Sequence, residues 1–441
     1  MKKFIRTLVA VILTLTLVAN MGVCLAAVEG KQYHKYDKVM LLGDSEASGF
    51  SDYGDEFSEF TRVDDSYAAY VADELGAELL PYACPGFRTV ELRYLLDDTY
   101  RPDDDILFER VPHTTMDEFI ARAPELRQAI VDTDMVMIGI GGNDWGGYPG
   151  WIIEGIRAEN TLPEHCKAAL IEYLETASVE DDLIANIIEI ADMCNALDDF
   201  MPLVPGLVNY AFTTLWENWE WIIDYIYEKN PDVTLVVIGM FPTYYKTEPG
   251  APDIVAQPDA AQILIEDAII NVGNMHMVNG QSKYGYIYVD TFGTVVESSH
   301  PTKAGQRFIA DRILEELPSA DFPYTDVALR NPNYKAIEYV TANGIMEATS
   351  ETTFSPDAPV TKDVLSKALN AITGDYEVTE KTSKVSGLEL ALTIYKLADK
   401  TGFMNFFNAV KLSLSIFFSS SVNATRGEAA GALHSYIKTF A

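Results

Sequence analysis

Cysteine is scarce in this chain of 441 residues, which contains only four. Cys24 lies near the N-terminus, so Cys84, Cys166 and Cys194 are left for the body of the chain. Three thiols over such a length exclude a disulfide-dense scaffold, and the sequence leaves open whether Cys166 and Cys194 pair. CxxC and HExxH motifs are also missing, so a dedicated zinc site has no support.

Basic residues are in short supply. The chain has 32 Lys and Arg against 66 Asp and Glu, which gives a formal net charge of −34. A surface of this sign repels phosphate backbones, so nucleic acid is excluded as an expected partner.

A long hydrophobic run occurs only at the N-terminus. There, three basic residues precede an apolar stretch and small residues follow it. This order predicts a secretory signal peptide over 1–27 and therefore an exported protein. An uncleaved membrane anchor is the alternative, and a lipoprotein at Cys24 fits less well because Val23 is bulky. No other stretch has the apolar length that a membrane-spanning helix needs.

Five apolar segments end in Gly, Pro, Asp or Asn and alternate with helical patterns. Their apolar residues are consecutive rather than alternating, which indicates strands buried on both faces, as in a parallel sheet covered by helices. The sequence therefore predicts an α/β fold, a three-layer αβα domain with a five-stranded parallel sheet. The five segments are 37–45, 77–86, 134–144, 232–242 and 284–291.

The apolar strand pattern ends near Ser319. We place a domain boundary there, between an α/β domain over 28–318 and a mainly helical region over 319–441. Between the third and fourth strands, residues 145–231 are longer than a crossover helix requires. This insert adds core helices or, alternatively, forms a partly apolar cap that receives an acyl chain.

Polar residues close these strands, and ligands bind beyond the carboxyl ends of parallel strands. Ser45 follows the first strand in Gly-Asp-Ser. His300, after the fifth strand, has Glu297 three residues before it, and an acid at that spacing in a turn can fix the tautomer of an imidazole. These residue types supply a nucleophile and a base, so Ser45, His300 and Glu297 are candidate catalytic residues.

Glycines and an amide close two further strands. The third strand ends in Gly141-Gly142-Asn143-Asp144, where backbone can approach a ligand closely and the Asn143 amide can donate to an oxyanion. Gly86, after the second strand, can direct a backbone N–H into the same crevice. Neither the GxGxxG dinucleotide fingerprint nor the GxSxG nucleophile elbow is present.

The chain resembles the SGNH (GDSL) hydrolases over residues 37–316. GDS at 43–45, ACPGFRT at 83–89, GGND at 141–144 and ExxHP at 297–301 match the four family blocks in order. The resemblance implies a flavodoxin-like SGNH fold, Ser45 as nucleophile and His300 as general base. It also implies an oxyanion hole made by the Ser45 and Gly86 N–H groups and the Asn143 side chain.

One position departs from the family pattern. Glu297 stands where the family usually has Asp, and either this carboxylate or a backbone carbonyl could orient His300. The implied chemistry is two-step acyl transfer from an ester through an acyl-enzyme, for which no metal or cofactor is expected.

The C-terminal region resembles S-layer homology (SLH) repeats. Residues 322–372 give one fair copy, although Thr361-Lys362-Asp363-Val364 replaces the usual T-R-A-E. A degenerate second copy ends in Thr425-Arg426-Gly427-Glu428. The resemblance implies binding of secondary cell-wall polymer, for which Arg426 is the candidate residue. The alternative is a degenerate repeat that no longer binds polymer and only packs against the catalytic domain.

Together these patterns predict a secreted serine esterase or lipase at the cell wall of a Gram-positive-type bacterium. Its substrate would be a lipid, an aryl ester or an acetylated polysaccharide, and a polysaccharide O-acetyl esterase is the alternative within this class. The alternative from another class is a wall-binding surface protein with an inactive hydrolase scaffold.

Overall fold

The computed structural model describes residues 31–50, 62–101, 113–146, 156–157, 161–176, 183–200, 203–243, 245, 260–297, 300–399, 416 and 421–440. The predicted signal peptide over 1–27 lies outside these residues. The described chain forms two compact units. One is Lys35–Glu316, and the other joins residues 31–34 to the residues from Leu317 onward.

A five-stranded parallel sheet with the order β2-β1-β3-β4-β5 is the centre of the first unit. Each strand lies within one of the five apolar segments, so the predicted α/β class with a five-stranded parallel sheet is confirmed. Consecutive apolar side chains fit here because both faces of the inner strands are buried. The strands are β1 (Lys38–Gly43), β2 (Glu78–Ala83), β3 (Met135–Gly139), β4 (Thr234–Ile238) and β5 (Ile287–Val289).

Helices connect and flank these strands, and a small antiparallel ladder follows β5. The ladder consists of β6 (Val296–Glu297) and β7 (His300–Pro301). The helices described in this unit are α1 (Ser45–Ser48), α2 (Tyr67–Leu75), α3 (Thr89–Leu96), α4 (His113–Asp132), α5 (Gly142–Gly146), α6 (Glu164–Thr176), α7 (Leu183–Met193), α8 (Leu197–Phe200), α9 (Val204–Lys229), α10 (Ala260–Tyr284) and α11 (Lys303–Glu316).

The strand order reverses at β1, which has β2 on one side and β3 on the other. At the carboxyl end of β1, Gly43 is in register with Ala83 of β2 and with Gly139 of β3. A reversal of this kind opens a crevice beyond the strand ends, where ligands bind in doubly wound sheets. The segments that follow these three residues therefore surround one crevice.

The inserted segment 145–231 contributes helices α6 to α9. Trp219, Ile222 and Ile226 of α9 are buried in the core of the sheet. A second apolar cluster contains Leu170 of α6 and Leu215 of α9. The described part of the insert therefore packs as core helices, the first of the two interpretations given above.

Two of the scarce cysteines meet inside this insert. Cys166 of α6 and Cys194, which follows α7, belong to the same apolar cluster, and both are free thiols. Burial and a side-chain hydrogen bond with Cys194 raise the pKa of the Cys166 thiol to about 11. The fold thus brings together the two residues whose pairing the sequence leaves open.

None of the helices within the described ranges combines the length and apolar character required to cross a lipid bilayer.

Three short segments of the second unit hydrogen-bond to one another in a closed ring. The Val360 N–H donates to the Ala424 carbonyl at 2.8 Å, the Ala424 N–H to the Val385 carbonyl at 2.9 Å, and the Val385 N–H to the Val360 carbonyl at 3.0 Å. A helix begins two residues after each of the three positions: α13 (Lys362–Thr373), α14 (Gly387–Asp399) and α15 (Arg426–Phe440), with α12 (Tyr334–Ala342) preceding them.

This ring gives the helical region three equivalent helix starts. The sequence pattern predicts one fair and one degenerate SLH repeat. The segment at Ser386 and Gly387 supplies the third helix start. Val360, Val385 and Ala424 are buried in one apolar core shared with α12.

Candidate active site

Ser45 is the first residue of α1, directly beyond the end of β1. Asp44 caps this short helix, because its Oδ1 accepts the Glu46 N–H at 3.0 Å. The helix ends at Gly49, whose φ of 81° lies in the left-handed region. A Cβ on Gly43 would lie 2.2 Å from the Gly139 carbonyl oxygen, so only glycine fits before this turn.

Ser45 and His300 are in hydrogen-bond contact. The distance between Ser45 Oγ and His300 Nε2 is 2.9 Å, and Ser45 is 9% exposed. The edge of the Phe50 ring contacts the imidazole, with ring centroids 4.9 Å apart. The fold therefore joins two residues that lie 255 positions apart in the sequence.

Glu297 lies opposite His300 in the β6–β7 ladder. Directly opposite residues of an antiparallel pair project from the same face with neighbouring Cβ atoms. The third candidate of the catalytic set thus shares a face with the imidazole, and its role as third member stays a prediction.

Gly86 and Asn143 lie at the ends of the strands on either side of β1. Gly86 has a φ of 83° in a turn closed by the Phe87 N–H, which donates to the Cys84 carbonyl at 3.1 Å. Asn143 Nδ2 donates to the Phe87 carbonyl at 3.1 Å. This bond links the loop after β2 to helix α5, so the two predicted oxyanion positions share one side of the crevice.

Asp144 forms a second link between the same two segments. It accepts the Thr89 N–H at 2.9 Å and also the Thr89 hydroxyl proton. Burial raises the pKa of Asp144 to about 7, against the hydrogen bonds from Thr89, which lower it. Asp144 belongs to the GGND block, but the sequence pattern assigns it no role.

Beside Asp144, Arg88 and Glu91 form an ion pair whose side chains are both 0% exposed. The Arg88 N–H also donates to Glu91 Oε2 at 2.8 Å, which caps the start of α3. The burial of this pair could not be predicted from the sequence, because an i, i+3 pair of this kind is usual on exposed helix faces.

Acidic side chains lie next to the turn that carries Ser45, which is called the nucleophile turn below. Burial raises the pKa of Asp44 to about 7, and the nearby Asp144 charge adds to this effect. Burial and Asp44 raise the pKa of half-buried Glu46 well above its usual range. Among the described residues, Tyr67 has a buried hydroxyl without a hydrogen-bond partner, and it faces these two carboxyl groups.

Gln306 fixes the nucleophile turn from the helix that follows His300. Its Nε2 donates to the Glu46 carbonyl at 3.0 Å, and its Oε1 accepts the Tyr67 N–H at 2.8 Å. Gln306 is buried on α11, so one side chain connects α1, α2 and α11. Nothing in the local sequence singles out this glutamine.

Leu215, a core residue that is 0% exposed, and half-buried Met240 pack against the GGND block. A Cβ on Gly141 would lie 3.3 Å from Leu215 Cδ1 and 3.6 Å from Met240 Cε. Leu215 comes from the inserted helix α9, and Met240 follows β4. Gly141 therefore packs against apolar side chains two positions before the predicted oxyanion donor Asn143.

Arg426, the candidate wall-polymer residue, is 7% exposed in the second unit. Its Nε donates to the Phe354 carbonyl at 2.8 Å, its Nη2 donates to the Glu347 carbonyl, and its guanidinium lies 4.6 Å from the centroid of the Phe354 ring. These contacts hold α15 to the loop before α13, and a polymer-binding role for Arg426 stays a prediction.

Within the part of the chain that the structure describes, no group of three or more His, Cys, Asp or Glu side chains is arranged to hold a metal ion.

Several solved structures resemble this chain in fold. An extracellular lipase from Streptomyces rimosus is 19% identical with a TM-score of 0.37, and the match covers 64% of this chain and 100% of the lipase. A phospholipase A1 from Streptomyces albidoflavus is 17% identical with a TM-score of 0.35, covering 64% and 99%. A GDSL-like lipase from Parabacteroides merdae is 13% identical with a TM-score of 0.32, covering 65% and 97%.

At these identities and TM-scores, the similarity concerns the fold alone. No curated protein matches the sequence. The family model of the S-layer homology domain matches residues 323–363, which confirms the SLH resemblance of the region that begins at residue 322.

Proposed function

We propose that the first unit is a serine ester hydrolase in which Ser45 is the nucleophile and His300 the general base. The observation that carries the proposal is the 2.9 Å distance between Ser45 Oγ and His300 Nε2. A base at this distance can take the hydroxyl proton as the oxygen attacks a carbonyl carbon.

The reaction then proceeds in two steps. His300 accepts the Ser45 proton while Ser45 Oγ bonds to the ester carbon, and the N–H groups of Ser45 and Gly86 and the Asn143 amide donate to the oxyanion. His300 returns the proton to the departing alcohol, which leaves an acyl-enzyme. Water, deprotonated by His300, releases the acid and restores Ser45.

The proposed substrate is a carboxylic ester with an apolar acyl or aryl part. Support comes from half-buried Met240, which lies against Gly141 close to the oxyanion donor. A second candidate is the removal of O-acetyl groups from a wall polysaccharide. It is favoured by the SLH match at 323–363, because an enzyme held at the wall would meet such a substrate first.

We also propose that the protein is exported and associates with the cell surface. The N-terminal pattern over 1–27 supports export, and the SLH match supports attachment to wall polymer. Such attachment is tested by sedimenting the full chain with isolated Gram-positive walls before and after chemical removal of the secondary polymer. Retention only on intact walls is expected, and equal retention on both preparations would argue against it.

Hydrolysis is tested with p-nitrophenyl acetate, butyrate and octanoate, with acetylated xylan and with Ser45→Ala as the control. We expect wild type to release product and Ser45→Ala to fall to background. If wild type is inactive on every ester, the non-catalytic alternative stands. Strict acetyl preference supports the polysaccharide candidate, whereas faster cleavage of longer chains supports the acyl-chain substrate.

A further inference from the structure

The predicted oxyanion donor is tied to the inserted helix by a chain of buried side chains. Asn218 of α9 is 1% exposed, and its Nδ2 donates to Thr89 Oγ1 at 3.5 Å. Thr89 in turn donates its hydroxyl proton to Asp144, the neighbour of Asn143. The chain runs from α9 through the start of α3 to α5.

This series of hydrogen bonds begins at a cation, the Arg93 guanidinium. Arg93 Nη1 donates to Asn218 Oδ1 at 3.1 Å. The Arg93 guanidinium carbon lies 4.2 Å from the centroid of the Tyr100 ring and 5.0 Å from that of the Trp221 ring. These stacking contacts hold the Arg93 guanidinium, which orients the Asn218 amide.

Hydrogen-bond chemistry fixes the direction of every step. A guanidinium only donates, so the oxygen of Asn218 faces Arg93 and its nitrogen faces Thr89. Thr89 has one hydroxyl proton, and its oxygen accepts from Asn218 while that proton goes to Asp144 Oδ1. Hydrogen bonds whose donors all point the same way, here from a cation to a carboxyl oxygen, strengthen one another.

The end of the chain holds the turn that presents Asn143. Asp144 is bonded to both the N–H and the hydroxyl of Thr89, and Asn143 Nδ2 donates to the Phe87 carbonyl. Helix α5 is thus held by adjacent residues to positions 87 and 89. Any shift of Thr89 would move the Asn143 amide relative to the crevice.

We propose that Asn218 is a positioning residue for the oxyanion hole, acting through Thr89 and Asp144 to hold the Asn143 amide in line with the reacting carbonyl. The inference rests on the proposed ester hydrolysis and extends it, because it gives the helical insert a part in catalysis. Asn218 itself makes no contact with the substrate in this account.

The test measures kcat and KM of the full chain on the p-nitrophenyl ester that wild type cleaves best. Asn218→Ala should lower kcat about 10-fold to 100-fold and leave KM within about twofold, because a displaced donor weakens transition-state rather than ground-state binding. Thr89→Val should give the same loss, and Thr89→Ser, which keeps the hydroxyl, should retain activity.

A double-mutant cycle isolates the route of the effect. In an Asn143→Ala background, Asn218→Ala should change kcat by less than about twofold, because the donor that it positions is already gone. A further loss as large as that in wild type would overturn the proposal, and so would unchanged kcat in the single variant.

Asn230→Ala is the matched control. Asn230 caps the end of the same helix, and its Nδ2 donates to the carbonyls of Ile130 and Thr133 at 2.9 and 2.8 Å, away from the crevice. We expect it to lower the melting temperature without changing kcat. If both asparagine variants lose kcat in proportion to stability, Asn218 has only a structural role. Inactive wild type would instead overturn the proposed function and this inference with it.

Discussion

Glu297 is the third catalytic candidate, and substitution tests its role. Its place opposite His300 in the β6–β7 ladder suits a carboxylate that fixes the imidazole tautomer. We predict that Glu297→Gln lowers kcat at least about 100-fold, because the amide cannot stabilise the imidazolium, while Glu297→Asp retains most activity. Steady-state kinetics on a p-nitrophenyl ester measures both variants.

A different result would reassign the role. If Glu297→Gln stays within about threefold of wild type, a backbone carbonyl orients His300 and the catalytic set is a dyad. Thermal unfolding of both variants is the control, because a loss of activity that follows a loss of folded protein would say nothing about the imidazole.

Individual site residues differed in how far the sequence could predict them. Ser45, Gly86, Asn143 and His300 follow β1, β2, β3 and β5 in the sequence, and the carboxyl ends of parallel strands meet at one edge of a sheet, so their position at one crevice followed from the pattern. The contact of Thr89 with Asn218 did not, because it joins residues 129 positions apart and no local signal marks a buried asparagine on a helix.

At the scale of single elements, the buried ion pair at the start of α3 is a sensitive point. We predict that Glu91→Gln lowers the free energy of unfolding by about 3–5 kcal/mol, because it leaves the Arg88 charge buried without its partner. Glu125→Gln is the matched control, since Arg122 and Glu125 have the same spacing but side chains 39% and 60% exposed. Its effect should be about 0–1 kcal/mol by denaturant unfolding.

The outcome separates burial from sequence spacing. Equal effects of Glu91→Gln and Glu125→Gln would mean that water reaches the Arg88 pair and that the start of α3 is held by backbone contacts alone.

The nucleophile turn makes stability depend on pH. Burial raises the pKa of Asp44 and of Asp144 to about 7, above the ordinary value of 3.8. The folded state therefore keeps protons that the unfolded chain releases, so the free energy of unfolding falls as pH rises from about 4 to about 7. We predict that Asp44→Asn, which keeps an oxygen for the Glu46 N–H, shows a smaller fall in melting temperature over this interval.

Asp65→Asn is the control for that pH series. The Lys303 ammonium holds the pKa of Asp65 below its usual range, so this carboxylate stabilises the fold at higher pH and loses its contribution as pH falls. Asp65→Asn should not flatten the fall between about pH 4 and 7. If Asp44→Asn has the same slope as wild type, Asp44 does not carry the effect.

Secondary structure was most predictable in the strands of the sheet, where burial on both faces requires consecutive apolar residues. The consecutive apolar runs gave all five strands of the sheet, because only a strand covered on both faces needs them. The length of α10, from Ala260 to Tyr284, was less predictable. Its polar Asn274, which bonds both the N–H and the carbonyl of Met240, interrupts the apolar pattern from which a helix is predicted.

At the scale of the whole molecule, each of the two described units has an apolar core that is built on a different kind of sequence. The first is built on a parallel sheet, and the second on helices whose starts join in the ring of Val360, Val385 and Ala424. The ring was hard to predict because its members are single buried residues, each spaced 25 or more positions from the next. The excess of acidic over basic residues agrees with partners other than nucleic acid.

The central claim is that Ser45 is a nucleophile activated by His300, and covalent labelling tests it most directly. The full chain is treated with a fluorophosphonate and the modified peptide is identified by mass spectrometry. We predict one adduct on Ser45, formed much more slowly in His300→Ala, with none on Ser48, whose hydroxyl donates to the Ser45 carbonyl at 2.9 Å. An unlabelled Ser45, or labelling of Ser45 at the same rate without the imidazole, would contradict the account.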